Sequence, residues 1–223
     1  MWLAPHDVRE LRRLVRYRQQ QVNERRAIKL RITASLREQR ILEAPGRRWT
    51  QRWYAWLKQG SHLSEQSRWI IGRQLTRLRA IEQEIQAVMK RLGRVTAKDA
   101  IVQKLLTLPG VGPVTALTLR AEVGRFDRFV CGKQLSRFCG ASPRNASSGQ
   151  RQADAGLIKA ANGQLRAVVI EAAHRLARYD PRWSLMAAQM REAGKPGSVV
   201  AAAVANRWLR WLFHQMQPAS LAA

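Results

Sequence analysis

Hydrophobic residues recur every three or four positions along most of the chain, which is the pattern of amphipathic helices. Over residues 7–40 the apolar positions are Val8, Leu11, Val15, Val22, Ile32 and Leu36, with Arg18, Arg25 and Lys29 in the intervening core positions. A second stripe consists of Ile71, Leu78, Ile81, Ile85, Val88 and Leu92, and Gln74 interrupts it. The two stripes predict long helices that pair as an antiparallel hairpin or as an oligomerising coiled coil.

The stretch between the two stripes is rich in turn-forming and aromatic residues. Residues 44–46 read Ala-Pro-Gly, and the aromatic residues that follow are Trp49, Trp53, Tyr54 and Trp56. The sequence favours packing of these rings at the tip of the hairpin over a surface on which bases of single-stranded nucleic acid stack.

The pattern changes near residues 93–99, where the heptad spacing ends and Gly and Pro become frequent. We therefore expect two domains, a helical hairpin or coiled-coil region over 1–98 and a second helical domain over 99–223. No stretch shows persuasive strand-like alternation. The predicted fold class is all-α.

Residues 104–119 predict two apolar helices joined by a tight turn. The first helix ends at a Pro-Gly pair, the turn contains Gly110 and Gly112, and the second helix begins at Pro113. This is the pattern of a helix-hairpin-helix element, in which glycines allow close backbone approach and the N–H groups of the new helix bind phosphate. Plain interhelical packing is the alternative.

A basic helix with Lys133 and Arg137 comes next, and a loop rich in turn formers follows over 140–151. The loop places Ser147 and Ser148 before a glycine and between Arg144 and Arg151. Such a hydroxyl could attack a phosphodiester while the guanidinium groups offset the developing charge. A Ser-Gly pair alone, however, is more often an ordinary loop.

Charge narrows the class of partner. The chain has 40 Lys and Arg residues against 15 Asp and Glu residues, a net charge of +25, and its 46% hydrophobic content is sufficient for a core. Both predicted domains are basic. A polyanion, with nucleic acid as the leading candidate, is the expected partner. Arginine outnumbers lysine 32 to 8, which suits bidentate contacts to phosphate or guanine, although a GC-rich genome would have the same effect.

Membrane and metal functions find little support in the sequence. The longest apolar run, Val199 to Ala205, is far shorter than the roughly 20 residues of a membrane span, and the N-terminus does not resemble a signal peptide. Cys131 and Cys139 match no metal-ligand spacing, so we expect reduced thiols and no metal site. The expected location is the bacterial cytoplasm, in association with the nucleoid.

Several short motifs follow one another in a recognisable order. They are Leu-Pro-Gly-Val-Gly-Pro-Val-Thr-Ala (108–116), Glu-Val-Gly-Arg-Phe (122–126), Lys-Gln-Leu-Ser-Arg-Phe-Cys-Gly (133–140), Ala-Ser-Pro-Arg (141–144), Ser-Ser-Gly (147–149), Asn-Gly-Gln-Leu-Arg (162–166) and Gly-Lys (194–195) before an Ala-rich helix. Together they resemble the C-terminal domain of the insertion sequence 110 family of transposases, which are related to pilin-gene inversion recombinases. The resemblance extends upstream through residues 8–18 and 28–32.

The resemblance implies a DNA transposase in which a serine attacks DNA and forms a covalent phosphoserine intermediate. The family serine precedes a glycine, which assigns the catalytic role to Ser148, with Ser147 as the alternative. DNA-binding positions implied by the motifs and by the basic residues around them are Gly110, Gly112, Lys133, Arg137, Arg144, Arg151, Lys159, Asn162 and Arg166. The family also implies a structured RNA, encoded by the element, as a guide to the target.

Two departures from the family limit what is expected of this chain. Ala161 stands where the family usually has glycine. The family's RNase H-like domain binds divalent metal, expected to be Mg²⁺, through four acidic residues, but the five aspartates here are scattered. We therefore expect a fragment or truncated transposase that binds no cofactor alone and is inactive without that acidic domain. It is expected to self-associate.

Two alternatives remain open from the sequence. One is a catalytically inactive DNA- or RNA-binding protein that inhibits assembly of intact transposase. The other is a site-specific DNA invertase, which would share the serine chemistry and differ in its DNA sites.

Overall fold

A computed structural model describes residues 2–41, 45–60, 63–145 and 154–217. Most of the described residues are helical, which confirms the all-α prediction. The described residues form nine helices and two short strands: α1 (His6–Glu38), α2 (Gln51–Gln59), α3 (Glu65–Val95), α4 (Ala100–Leu106), α5 (Pro113–Val123), α6 (Gly132–Phe138), β1 (Pro143–Asn145), β2 (Asp154–Leu157), α7 (Gly163–Tyr179), α8 (Pro181–Glu192) and α9 (Gly197–Gln215). None of the described helices is long and apolar enough to cross a membrane.

The chain divides into two compact units. Residues 13–94 form the first, called here the α1–α3 unit, and residues 1–12 together with 95–223 form the second, the α4–α9 unit. Each unit has its own hydrophobic core.

In the α1–α3 unit, α1 and α3 pair in antiparallel orientation. The Tyr17 hydroxyl donates to Glu84 Oε1 at 3.2 Å. Further along α1, Glu24 Oε1 lies 3.6 Å from Nη2 of Arg77, which comes earlier in α3 than Glu84. The two helices therefore run in opposite directions. The contacts lie within one chain and confirm the helical hairpin. Arg18, expected in a core position, is half-buried, and desolvation with the nearby charge of Arg25 lowers its pKa.

The apolar stripe of α1 differs from the sequence prediction at Val22, which is only partly buried, and at Ile28 and Lys29. Ile28 is fully buried, in line with Ile32 and Leu36 one and two turns later, whereas Lys29 is not a core residue. The Lys29 ammonium instead lies 4.8 Å from the centroid of the Trp49 ring. The long lysine stem reaches the edge of the core while its charge stays near water, so the smaller apolar neighbour takes the buried position.

The aromatic residues pack at the tip of the hairpin. Trp53 on α2 is fully buried, and its ring centroid lies 4.6 Å from that of Trp49. Trp49, Tyr54 and Trp56 are partly buried against the same core, which also includes Leu57, Leu63 and Leu75. Their burial supports the packing interpretation of this cluster.

In the α4–α9 unit, α9 is the central helix and packs against α6, α7 and α8. Its inward face buries Val204, Trp208 and Leu212 completely. At the start of α6 a Cβ on Gly132 would come within 2.8 Å of the Arg210 Cα, so only glycine permits this close crossing of α6 and α9.

The first residues of the chain belong to the α4–α9 unit through specific contacts. The Arg128 guanidinium lies over the Trp2 ring at 4.4 Å and over the Phe129 ring at 4.2 Å. Arg12 Nε donates to the Ala121 carbonyl at 2.9 Å. These contacts connect the first twelve residues of the chain to the end of α5 and to the segment after it.

The two strands form a small antiparallel ribbon that the sequence did not predict. Pro143 pairs with Leu157 and Asn145 with Asp154, with an irregular register between the two pairs. Strands of three and four residues are too short for alternation of apolar and polar positions to be recognised.

Candidate nucleic-acid interface

The turn between α4 and α5 uses its two glycines in different ways. Gly110 has a φ of 76°, and a Cβ there would lie 2.6 Å from Leu176 Cγ. Gly112 is the N-cap of α5 with a φ of −92°, and a Cβ there would meet nothing within 4 Å. Gly110 therefore packs the turn onto α7, whereas Gly112 leaves the space before α5 open.

The N-terminus of α5 borders a groove of about 460 Å³ on the face of α7. Because α5 begins at a proline, the first backbone N–H groups without a helical partner are those of Val114 and Thr115. Arg175 Nη2 donates to the Gly110 carbonyl at 3.4 Å and to Thr115 Oγ1 at 3.3 Å. A positive helix end beside a guanidinium suits an anion, although the Glu171 carboxylate, 3.5 Å from Arg175 Nη1, offsets part of that charge.

Lys133 and Arg137 lie on one face of α6, four residues apart. Both side chains are exposed. Neither forms an ion pair with a carboxylate in the part of the chain that the structure describes, so both charges are available to an external phosphate.

The base of the β1–β2 ribbon is fixed to α6 and α9 by polar contacts. Asn206 Nδ2 of α9 donates to Ser136 Oγ at 2.7 Å and to the Ala141 carbonyl at 3.1 Å. The Ser136 and Ser142 hydroxyl groups lie 3.1 Å apart, and the Ile158 N–H donates to the Ser142 carbonyl at 3.1 Å. The base of the ribbon is thereby held on helices of the core.

The candidate nucleophile lies outside the described residues. Ser148, the alternative Ser147 and also Arg151 fall in residues 146–153, which join β1 to β2 in the chain. For this part of the site, the structure describes the strand on each side and the attachment of the two strands to the core.

The remaining sequence-predicted residues separate into exposed charges and groups with internal partners. Arg144 in the middle of β1 and Lys159, two residues after β2, are exposed. Asn162 caps α7, since its Oδ1 accepts hydrogen bonds from the N–H groups of Gln164 at 2.9 Å and Leu165 at 3.3 Å.

Arg166 has internal contacts that hold the segment before α7. Its Nη2 donates to the Ile158 carbonyl. Its guanidinium lies so close to Gly140 that a Cβ there would approach Arg166 Nε to 2.7 Å. Arg166 Nε itself is buried without a hydrogen-bond partner among the described residues. Arg166 therefore joins the chain on both sides of the ribbon to α7.

Sequence reasoning missed a set of residues on α9. Arg207 and Arg210 are exposed, and they line a groove of about 650 Å³ beside Pro143 and Leu157 at the ribbon base. They also line a second groove of about 490 Å³ between α8 and α9. The signal was the run of Arg207, Arg210, Trp211 and His214 at helical spacing on an otherwise apolar, Ala-rich segment.

Metal-binding groups are not clustered in the described part of the chain. No three side chains of His, Cys, Asp or Glu come together there in a way that could hold a metal ion. The described residues thus do not fit the divalent metal that the family resemblance implies.

Comparison with known proteins gives consistent matches. Residues 102–188 match the family model described as Transposase IS116/IS110/IS902 family. A Sinorhizobium fredii protein named "Putative transposase y4qE" is 30% identical over 82% of this chain and 44% of its own length. The "Transposase for insertion sequence element IS1111A" of Coxiella burnetii is 33% identical over 58% of this chain and 35% of its own length.

The chain thus spans less than half the length of these relatives. The matched region begins in α4 and ends in α8, so it includes the α4–α5 turn, the basic helix α6 and both strands of the ribbon. Through residues 102–188, the chain belongs to the IS116/IS110/IS902 family of transposases.

Proposed function

We propose that this chain binds DNA and contributes the serine nucleophile for strand cleavage and exchange in DNA transposition. The single observation that carries the proposal is the family match over residues 102–188, which includes the ribbon and the Ser-Ser-Gly sequence between its strands. The transposase names of the relatives support the same activity. The polar anchors at the ribbon base support it further, because a nucleophile must be held on a rigid scaffold.

In the proposed reaction the Ser148 hydroxyl oxygen attacks a DNA phosphorus and loses its proton to a base. A phosphoserine bond forms, and the bond from phosphorus to one deoxyribose oxygen breaks, so that oxygen leaves as a hydroxyl group. Attack by the hydroxyl of a second strand reverses the step and joins the new strands. Arg144 and Arg151 offset the negative charge that develops on the phosphate oxygens.

DNA binding is assigned to the exposed basic side chains around the ribbon. Lys133, Arg137, Arg144 and Lys159 would contact phosphates, and the open N-terminus of α5 at Gly112 would contact another through its N–H groups. Asn162 and Arg166 act on DNA indirectly, by positioning the segment that follows the ribbon. The α4–α5 element then serves as a helix-hairpin-helix that binds backbone irrespective of sequence.

Further parts of the proposal rest on the family resemblance. A divalent metal held by the RNase H-like acidic domain of an intact protomer, a structured RNA from the element, and self-association through the α1–α3 unit complete the proposed assembly. We expect the chain alone to bind DNA without cleaving it.

Trapping of a covalent adduct tests the proposed nucleophile. The full chain would be mixed with Mg²⁺, labelled DNA from the ends of an element, and an intact family transposase whose own nucleophilic serine is replaced by alanine. We expect a protein–DNA adduct on a denaturing gel, with mass spectrometry placing the DNA on Ser148. Ser148→Ala should abolish the adduct, and the matched Ser147→Ala should retain it.

Two outcomes would contradict the assignment. An adduct that survives Ser148→Ala but disappears with Ser147→Ala moves the chemistry to the neighbouring serine. Salt-sensitive DNA binding without any adduct would leave the chain as a non-catalytic DNA-binding protein.

A further inference from the structure

The groove between α8 and α9 combines positive charge with aromatic surface. Its volume is about 490 Å³, within the range of roughly 300–1,000 Å³ found for sites that enclose a small ligand. Its basic and aromatic lining side chains are Arg182 and Trp183 from α8 and Arg207, Arg210, Trp211 and His214 from α9. Planar rings beside guanidinium groups are the pairing that recognises a nucleotide, through its base and its phosphate.

The arrangement of α9 separates a structural tryptophan from one at the groove. Trp208 is fully buried in the core, whereas Trp211, three residues later, is only partly buried and lines the groove. Arg207 and His214 stand one turn before and about one turn after Trp211, and both are exposed. One face of α9 therefore packs into the core. The adjacent face places the accessible ring of Trp211 between Arg207 and His214.

The positive charge of the groove is not neutralised within the described residues. Arg182, Arg207 and Arg210 form no ion pair with a carboxylate in that part of the chain. The acidic residue at the start of α8, Asp180, is occupied as a helix cap, since its Oδ1 accepts hydrogen bonds from the N–H groups of Arg182 and Trp183. The groove is therefore electrostatically complementary to phosphate.

The α8–α9 groove shares two lining side chains with the groove at the base of the ribbon. Arg207 and Arg210 line both the α8–α9 groove and the groove beside Pro143 and Leu157 at the base of the ribbon. A strand bound near the ribbon can thus cross α9 over these two arginines and enter the α8–α9 groove.

We propose that the α8–α9 groove holds an unpaired nucleotide of the DNA strand bound at the ribbon, with its base on Trp211 and its flanking phosphates on Arg207 and Arg210. The assignment of the strand to the ribbon rests on the proposed function above. A base within a duplex is stacked on both faces and cannot reach a ring inside a groove, so the occupant must be unpaired. Single-stranded DNA is the preferred ligand.

Fluorescence anisotropy of labelled oligonucleotides tests the base contact on the full chain. For a single-stranded DNA 12-mer, Trp211→Ala should raise the Kd by about 5- to 150-fold, the range typical of one lost stacking contact. Trp211→Phe should restore most of the affinity. A fully paired duplex of the same sequence should change less than about twofold, and an otherwise identical strand with abasic sites should bind wild type and Trp211→Ala equally.

A charge-matched pair of double variants tests the phosphate contacts. One double variant combines Arg207→Gln with Arg210→Gln, and the other combines Arg178→Gln with Arg191→Gln. Both variants remove the same charge, but Arg178 and Arg191 do not line the groove. The first pair should weaken single-strand binding at least tenfold and reduce the salt slope by about 1.4, since each phosphate contact contributes about 0.7. The second pair should change the affinity by less than about threefold.

Several results would overturn the proposal while leaving the DNA-binding function intact. One is an equal loss of single-strand affinity in the two double variants. Another is an unchanged single-strand affinity in Trp211→Ala, and a third is an equal loss of affinity for duplex and single strand in that variant. Dependence on Trp211 for an RNA 12-mer but not for DNA would assign the groove to RNA and also overturn the proposal. Thermal melting of each variant separates these results from loss of fold, and loss of all salt-sensitive binding in wild type would instead contradict the proposed function.

Discussion

At the scale of single residues, several side chains have two structural roles at once. Asp99 caps α4, because its Oδ1 accepts a hydrogen bond from the Val102 N–H at 3.0 Å, and its Oδ2 lies 2.7 Å from Arg120 Nε. Arg120 in turn lies 3.5 Å from Asp7 near the start of α1. The cluster of Asp99, Arg120 and Asp7 thus links the start of α4, the end of α5 and the first turn of α1.

Replacement of Asp99 separates the two roles. Asp99→Ala should lower the free energy of unfolding by about 1–3 kcal/mol, because both the cap and a largely buried charged hydrogen bond are lost. Asp99→Asn, the matched control, keeps the cap acceptor and should lose less. Denaturation with urea measures both, and equal losses for the two variants would show that the charge rather than the cap is decisive.

The two glycines of the α4–α5 turn should respond differently to the same substitution. Gly110→Ala should lower the free energy of unfolding by about 1–3 kcal/mol, because the residue has positive φ and its new methyl group would overlap Leu176. Gly112→Ala should cost below about 1 kcal/mol, since the position has an ordinary φ and open space. Thermal unfolding of the two variants side by side checks the difference, and equal Tm values would contradict it.

The cysteines should differ in reactivity. Cys139 is fully buried, and burial raises the pKa of its thiol well above the ordinary range, so the reactive thiolate is suppressed. Cys131 is partly exposed. In the native protein at pH 8, a thiol-specific chromogenic reagent should react with one equivalent of cysteine, at Cys131, and a second equivalent should react only after unfolding. Two rapid equivalents in the native state would contradict the burial of Cys139.

At the scale of elements, helix patterns could be predicted from the sequence because each long helix repeats its apolar spacing over several turns. The α4–α5 turn was predicted for a similar reason, since Pro and Gly punctuate two apolar runs. The β1–β2 ribbon was not predicted, because strands of three and four residues carry too few positions for a period. The burial of Ile28 in place of Lys29 was also not predicted, because it depends on the rotation of α1 about its own axis, which the neighbouring core residues determine.

The candidate site was only partly accessible from the sequence. Exposed charges such as Lys133 and Lys159 stand out among apolar residues. The internal role of Arg166 could not be predicted, since it depends on the close approach of Gly140 in three dimensions. The groove beside Trp211 likewise requires knowing that Trp208, three residues earlier, is the one that faces the core.

The tip of the helical hairpin should be sensitive to loss of its central ring. Trp53→Ala should reduce the free energy of unfolding of the α1–α3 unit by about 3–5 kcal/mol, because a fully buried tryptophan leaves a large cavity. Trp56→Ala is the matched control, since that ring is only partly buried, and it should cost less. Circular dichroism during urea denaturation measures both, and equal losses would mean that the tip core is not centred on Trp53.

At the scale of the whole molecule, the net charge of +25 has to be interpreted with its distribution. In the α4–α9 unit the exposed basic groups on α6, around the ribbon and on α9 form no ion pairs with described carboxylates, whereas the largely buried Arg120 is paired with Asp99. The excess charge is thereby left on surfaces that an external polyanion can reach.

DNA binding by the full chain should depend steeply on salt. A plot of log affinity for duplex DNA against log salt concentration should have a slope steeper than about −3, as expected when four or more phosphates are neutralised. Lys133→Gln with Arg137→Gln should reduce the magnitude of that slope by about 1.8. Anisotropy titrations between 50 and 200 mM salt, roughly the range over which such binding changes most, measure both, and a flat response would contradict the proposed function.

The close crossing at Gly132 has a consequence for how this unit can vary. Contact between the Gly132 position and the Arg210 backbone sets the rotation of α9 about its own axis, and α9 carries both the Asn206 anchor of the ribbon and the ring of Trp211. One residue inserted between Asn206 and Arg210 would turn the rest of the helix by about 100°. The ribbon anchor and the groove would then face different directions, so this stretch of α9 should tolerate changes of side chain far better than changes of length.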